Sequence, residues 1–361
     1  MKIGLECHVQ LQTQTKLFCG CPNRFTDKPN TLTCEYCIGL PGSKPRINKS
    51  AVDYAILIGE ALECKISVPA FFSRKAYFYP DMGKNFQITQ YEVPIAFGGK
   101  LKLGMKYITI KRIQIEEDPA RLVHVGSGIT TAQYVLVDYN RSGVPLVEIV
   151  TDPDFESPKE AREFLQKLSS ILQYLGVYNP DIEGSMRVDA NISVDEIRVE
   201  IKNISGFKEV ERALNYEIIR QKNVIRRKQK VIMETRGWDA DSGVTRSQRL
   251  KETEDDYGYI FEGDLPQFSI EQRHINELKE SIPELPDQKI NRYTRQMRLT
   301  EELAVSIVSE PDLAEAFEKV IQEIDRQLAA KWFAGEIKKT LNYNSIHFKE
   351  SKLNVNNLVR L

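Results

Sequence analysis

The sequence predicts an α+β body followed by a smaller helical domain, and three observations carry that reading. Between about residues 66 and 150, runs such as KLKLGMKYITIKRIQIEED and QYVLVDYN alternate apolar and polar residues, the period of half-buried strands. Segments 157–176 (SPKEAREFLQKLSSILQYLG) and 209–230 (EVERALNYEIIRQKNVIRRKQK) carry a helical period instead. From about 271 the pattern becomes helical, broken by PELP and by a Ser-Glu-Pro-Asp cap near 308–312. At 361 residues the chain exceeds what one core usually serves, so two domains are expected.

Residues 1–48 read as a strand followed by a Gly/Pro/Asn-rich cysteine loop. In KIGLECHVQ, Glu6 and His8 alternate with Leu5, Cys7 and Val9, so both polar side chains share one face of the strand. SAVDYAILIGEAL (50–62) is a helix with Ser50 as N-cap and Val52, Ala55, Ile56 and Ile58 or Gly59 towards the core. The helix at 157–176 has Ser157 and Pro158 at its start, a glutamate three residues after Ser157, and Gly176 to stop it. SMRVDANISV and IRVEIKNIS are strands, and ETRGWDADSGVTRSQRLKETEDDYGYIF returns to strand and turn after the long helix at 209–230. The basic end of that helix complements the partial negative charge of a helix C-terminus.

Composition excludes several classes. A net charge of −1 leaves nucleic-acid binding to local patches rather than a globally basic surface. No run approaches the ~18 apolar residues of a membrane span, and no signal-peptide core opens the chain. G-x-x-x-x-G-K-[ST] is absent, so ATP use would not be of the P-loop kind. Without a G-x-S-x-G elbow or an assignable Ser/Cys–His pair, no hydrolytic nucleophile is visible. Six cysteines, four of them in close pairs, suggest metal in a reducing compartment, the cytoplasm.

The strongest anonymous signal is C-x-C-x12-C-x2-C, formed by Cys19, Cys21, Cys34 and Cys37. Four thiolates close a tetrahedral zinc shell with no open position for water, and Gly20, Pro22, Gly39 and Gly42 allow the turns. Two disulfides or buried free thiols are the bland alternative; Cys7 and Cys64 are single and read as small core side chains. Acidic residues recur as Glu6 beside His8, as Glu116-Glu117-Asp118 at a strand end, and as Glu252-Thr253-Glu254. A magnesium site that handles ATP draws carboxylates from separated strands, whereas a charged triplet by itself is ordinarily a solvated turn. Basic residues sit among aromatics in RKAYFYPDMGKNFQITQY, DYNRSGVPLVEIV and TRSQRLK, which suits phosphate and RNA ends, or plain surface charge over an aromatic core.

The ordered series GLECHVQL, RKAYFYPD, QIEEDPARLVH, DYNRSGVPLVEIV, SMRVDANISV, EIKNI and RSQRLKETEDDYGY resembles the B subunits of the GatCAB aminoacyl-tRNA amidotransferases, with cysteine pairs like those of archaeal-type members. The resemblance implies a glutamine-synthetase-like cradle over residues 1–292 with a zinc loop at 19–37. Residues 293–361 would open a helical domain, and the family's C-terminal tail domain would be missing. It implies that the side-chain carboxylate of misacylated Glu-tRNA(Gln) or Asp-tRNA(Asn) is phosphorylated by ATP with Mg²⁺ and then amidated by ammonia. That ammonia would come from a GatA-type amidase, held in place by a small GatC-type protein. By motif, Glu6, His8, Glu117 and Glu252 match the magnesium site. Lys75, Lys84, Arg187 and Asp189 match the ammonia route and transamidation site. Tyr79 and Asp81, with Arg141, Arg246 and Arg249, match substrate, ATP or tRNA contacts, and the four cysteines match the structural zinc loop. Gln114 and Asp255 stand where family members often carry histidine. A noncatalytic zinc-containing tRNA-binding scaffold of the same fold is the alternative. So is a stand-alone glutamine-synthetase-like ligase acting on free amino acids.

Overall fold

The computed structural model describes residues 1–125, 132–250, 258–344 and 346–360, without the side chains of residues 203, 249 and 250. The strands are β1 (Lys2–Gln10), β2 (Lys65–Ile66), β3 (Ser73–Ala76), β4 (Phe86–Thr89), β5 (Ala96–Leu103), β6 (Lys106–Glu117) and β7 (Arg121–Val125). They continue as β8 (Tyr134–Asp138), β9 (Pro145–Thr151), β10 (Met186–Ser193), β11 (Val199–Ile204), β12 (Glu234–Asp239), β13 (Val244–Leu250) and β14 (Tyr259–Phe261). The first helices are α1 (Lys49–Ala61), α2 (Pro158–Tyr174), α3 (Phe207–Arg226) and α4 (Gln272–Glu280). A helical series follows: α5 (Pro286–Met297), α6 (Glu301–Val308), α7 (Pro311–Val320), α8 (Arg326–Trp332), α9 (Lys338–Asn344) and α10 (Val355–Arg360).

The chain divides into two compact units, Met1–Gln166 with Val177–Ser281, and Lys167–Gly176 with Ile282–Leu361. The first is built on a nine-stranded sheet in the order β13-β12-β11-β10-β1-β9-β6-β5-β2. Its pairs are antiparallel except β11–β12, the one pair that needs a crossover, which α3 supplies. Alternation gives the sheet two unlike faces. Ile3, Leu5, Cys7 and Val9 of β1, Ile113 and Ile115 of β6 and Val188, Ala190 and Ile192 of β10 are all buried. The apolar face packs under α1, which meets β5 and β6, and α3, which meets β10 and β11. The other face carries the polar residues. A three-stranded sheet, β14-β3-β4, docks beside β6, where Gln90 accepts from the Ile115 amide at 3.0 Å. A two-stranded ribbon pairs β7 with β8.

Helix ends follow local chemistry, with one correction. The sequence expects Ser50 to cap α1, but the cap is Asn48, whose side chain accepts from the amides of Ser50 at 2.9 Å and Ala51 at 3.4 Å. Its amide group also donates to Thr15 O and Oγ1, tying the helix start to the cysteine loop's approach, a bond a serine hydroxyl cannot duplicate. At α2, Ser157 Oγ accepts from the Glu160 amide while Glu160 accepts from the Glu156 amide, and Gly176 (φ 68°) follows.

The second unit has its own core, with Tyr293, Ile307, Phe317 and Phe333 fully buried or nearly so. Two of its carboxylates are matched closely by cations: Glu318 faces Lys289 (2.6 Å) and Arg292 (2.5 Å), and Glu284 faces Arg292 (2.7 Å). No helix among the described residues is long and apolar enough to cross a membrane.

Candidate active site

A cleft of about 1290 Å³ lies on the polar face of the large sheet, with β1 along its floor. Strand register decides which side chains meet there. His8 lies opposite Glu148 of β9 and Arg187 of β10, and Glu6 lies opposite Asp189 of β10. Gln114 of β6 lies opposite Glu148, so Glu116, two residues on, comes up beside His8. On β11, Val199 and Ile201 enter the core, which turns Glu200 and Lys202 to the cleft. Two groups of ligand atoms result, each within 4.8 Å: His8, Glu116 and Glu148 on one side of β1, and Glu6, Asp189 and Glu200 on the other.

The first group is electrostatically unbalanced. His8 Nδ1 and Glu116 Oε1 are 3.0 Å apart. Burial works to lower the His8 pKa, but the hydrogen bond and charge of Glu116, with Glu148 and Asp189, more than offset it and raise it to about 9. Burial and the neighbouring Glu116 charge push Glu148 up to about 7, and the Gln114 amide donates to it. Glu116 is the reverse case: burial opposes its charge, yet His8 holds it below the usual carboxylate range. In the second group Glu6 accepts from Asn191 (2.8 Å), Glu200 accepts from Thr235 (2.9 Å), and Lys202 lies 3.4 Å from Asp189.

Both groups could hold a metal ion. The first offers two carboxylates beside His8 and the second three, and carboxylate oxygens are the ligands hard divalent ions prefer. Cations surround the acids. Lys75 lines the cleft from β3, and Arg187 donates to the buried Asp118 at 2.7 Å. Arg141 makes a second ion pair with Asp118.

Of the residues the sequence singles out, the fold brings Glu6, His8, Lys75, Tyr79, Arg187 and Asp189 to the cleft. It does not bring Glu117 to Glu6 and His8. Glu117 shares the phase of Ile113 and Ile115, points away from the cleft face and is 1% exposed. There it accepts from the Ile88 amide (2.8 Å) and the Tyr36 hydroxyl (3.2 Å) and pairs with Lys84 (2.5 Å). Asp81 is buried in the β3–β4 turn, where burial holds its carboxyl above the usual range. Arg246 sits on β13 at the sheet edge, largely exposed, 3.1 Å from Asp239, and Arg249 lies opposite Thr235. Glu252 lies outside the described residues, as does Asp255.

Sequence reasoning leaves Glu116 unseparated from its triplet and passes over Glu148, Glu200 and Asn191. The signal is a charged or amide residue in step with the polar face of an otherwise apolar strand, as in PLVEIVT and VEIKNI.

The four cysteines converge as well. From Cys37 Sγ, the sulfurs of Cys19, Cys34 and Cys21 lie at 3.6, 3.8 and 3.9 Å. None is in a disulfide, which would need about 2.0 Å. A tetrahedral ion with four sulfurs at about 2.3 Å sets them about 3.8 Å apart, so this cluster could hold a metal ion and its spacing is compatible with zinc. The hydrogen bond from Cys19 and the Lys16 ammonium, against burial, hold the Cys37 thiol down at about 4. Lys16 is fully buried, its Nζ 3.3 Å from Cys37 Sγ and 3.2 Å from Tyr139 O.

Comparison with known proteins gives one consistent result. A family profile described as the GatB/GatE catalytic domain matches residues 1–276. A protein of Saccharolobus solfataricus, named as the B subunit of aspartyl/glutamyl-tRNA(Asn/Gln) amidotransferase, is 48% identical, the match covering 100% of this chain and 78% of the relative. Proteins of the same name from Methanosarcina barkeri (50% identical; 96% and 71% covered) and Haloquadratum walsbyi (45%; 95% and 73%) agree.

Proposed function

Because the chain belongs to the GatB/GatE catalytic-domain family, we propose that it is the catalytic B subunit of a tRNA-dependent amidotransferase acting in the cytoplasm. Its substrates are ATP and the side-chain carboxylate of Glu-tRNA(Gln) or Asp-tRNA(Asn). The carboxylate is phosphorylated, and ammonia then displaces phosphate to leave the amide. A GatA-type amidase supplies the ammonia and a small GatC-type protein joins the two. In this reading the large sheet is the floor of a glutamine-synthetase-like cradle.

The observation that carries the proposal is the pair of acidic groups flanking β1 on one face of the sheet. Two anions, a nucleotide phosphate and a substrate carboxylate, must meet for phosphoryl transfer, and their repulsion has to be offset. His8, Glu116 and Glu148 would hold one magnesium ion and Glu6, Asp189 and Glu200 a second. When bound, these ions supply that offset and organise the phosphate oxygens. Lys75 and Arg187 add positive charge at the cleft wall, and Asp118 fixes the Arg187 guanidinium at 2.7 Å. Tyr79, half exposed and lining the cleft, would receive the acceptor end, where stacking on an aromatic ring is effective. Glu117, paired with Lys84, joins the ammonia side of the reaction rather than the metal site. The four cysteines hold zinc with all positions filled, a structural centre.

The test is reconstitution of this chain with its GatA- and GatC-type partners, Mg²⁺, ATP, glutamine and each misacylated tRNA. Amidated aminoacyl-tRNA that disappears without ATP is the expected result. No product from either tRNA, with tRNA binding intact, would leave the noncatalytic scaffold as the better account.

A further inference from the structure

The four-cysteine loop reaches well beyond its own sulfurs. Between Cys34 and Cys37 it carries Tyr36, which is 5% exposed and whose hydroxyl donates to Glu117 Oε2 at 3.2 Å. The other oxygen of Glu117 takes the Ile88 amide at 2.8 Å and the Lys84 ammonium at 2.5 Å. The same ammonium lies 5.1 Å from the centre of the Tyr36 ring, within cation–π range. Lys84 and Glu117 sit directly behind the cleft wall. Lys84 Nζ is 3.7 Å from Met82 Sδ, and Gln87 Nε2 donates to Glu117 O at 2.8 Å, Met82 and Gln87 both being lining residues.

A second contact is made by backbone alone. The loop's turn closes through Ile38 N to Cys34 O and Gly39 N to Tyr36 O, and it presses on the turn that carries Lys84. A β-carbon on Gly39 (φ +71°) would stand 2.5 Å from Gly83 C and Lys84 N, and one on Gly83 would stand 2.6 Å from Ile38 O. Two facing glycines therefore let the loop and the Lys84 segment touch main chain to main chain, so a shift in one displaces the other.

We propose that the four-cysteine loop sets the Lys84–Glu117 ion pair, with Tyr36 as the positioning residue, so that metal loading of the loop governs where the Lys84 ammonium sits behind the cleft. The loop is then part of the catalytic apparatus and more than a remote clasp for the fold. What Lys84 does in the reaction rests on the amidotransferase reading; the coupling from loop to lysine does not.

Tyr36→Phe tests this because it keeps the ring and all four cysteines and removes only the hydroxyl. The full chain is labelled briefly with acetic anhydride and acetylation is read residue by residue by mass spectrometry. Zinc content is measured in parallel. In Tyr36→Phe, with zinc retained, Lys84 labelling is expected to rise about tenfold, the factor that losing one hydrogen bond to a buried charge represents. Chelation of zinc from the unmutated chain is expected to give the same rise. Lys289, paired with Glu318 in the second unit, serves as the unaffected control. Glu117→Gln breaks the pair directly and sets the full scale of the response. Unchanged Lys84 labelling in Tyr36→Phe, alongside a rise in Glu117→Gln, overturns the proposal. In the reconstituted enzyme, amide formed per ATP hydrolysed should also fall in Tyr36→Phe. An inactive unmutated complex would count against the functional reading alone, since the labelling result still decides the coupling.

Discussion

Two clusters of ligating side chains in the first unit are built on opposite plans. The four cysteines come from one stretch, 19–37, and their sulfurs close on one another at 3.6 to 3.9 Å around Cys37. The acids of the cleft come from five strands, between Glu6 on β1 and Glu200 on β11, and meet only because the sheet pairs them. A four-sulfur shell leaves an ion no free position, whereas a histidine with two carboxylates leaves several for phosphate and water. The local cluster is saturated and suits holding shape. The dispersed one is open and suits chemistry. The second unit shows what a purely stabilising arrangement looks like, with Glu318 and Glu284 matched directly by Lys289 and Arg292.

The sharpest way to break this contrast is Glu148→Gln. Loss of one carboxylate from the open cluster should lower phosphorylation of the tRNA-bound carboxylate by at least about a hundredfold, a ligand mattering no less than a residue that merely orients one. Stability should move the other way. The folded Glu148 pKa, about 7, lies above its unfolded value, so the native state binds the proton more tightly and ionisation costs stability as pH rises through that window. Glutamine never ionises. The metal-free variant should therefore melt higher than the unmutated chain at pH 8, with the difference shrinking as pH falls and gone only below the unfolded value of 4.5. Thermal melts across pH check it; a variant that melts lower at pH 8 would make Glu148 a structural member and erase the distinction.

The closed cluster should answer differently. Cys34→Ser opens the sulfur shell, so zinc is released and the melting temperature falls by about 5 °C or more, since metal binding energy here is folding energy. Metal analysis and a melt on the same sample decide it. A chain that loses zinc and melts as before would show that the loop needs no ion to keep its shape.

The same contrast explains what was legible in the sequence. Cysteine spacing is local information, as are the amphipathic period and capping glutamate of α2, and the strand alternation of β1 and β6. Register between distant strands is not. Glu148 sits in PLVEIVT, a strand buried along its whole length, where a continuous apolar run hides which face a lone acid takes. Motif position favours Glu117 over Glu116, although the phase of Ile113 and Ile115 already places Glu117 on the core side. Lys16 and Tyr36 give no signal. A lysine among polar residues reads as surface, and only the tertiary fold makes it 0% exposed.

That buried lysine supplies the finest probe. Four thiolates around a divalent ion leave two net negative charges in a partly buried loop, and the Lys16 ammonium, 3.3 Å from Cys37 Sγ, neutralises one of them. Lys16→Met keeps the aliphatic stem and removes the charge and both hydrogen bonds. Groups that hydrogen-bond a metal ligand in this way are worth about tenfold or more in metal affinity, so zinc should bind at unchanged stoichiometry and about tenfold more weakly. Competition against a chromophoric chelator measures that directly. The melting temperature should fall less than in Cys34→Ser, because the shell itself remains whole. Unaltered affinity with a large loss of stability would mean that Lys16 acts through its bond to the Tyr139 carbonyl, pinning the loop to the turn that carries Arg141. The cysteine cluster would then be held by its surroundings in the way the cleft carboxylates are, and the difference between the two would narrow to the number of positions left open on the ion.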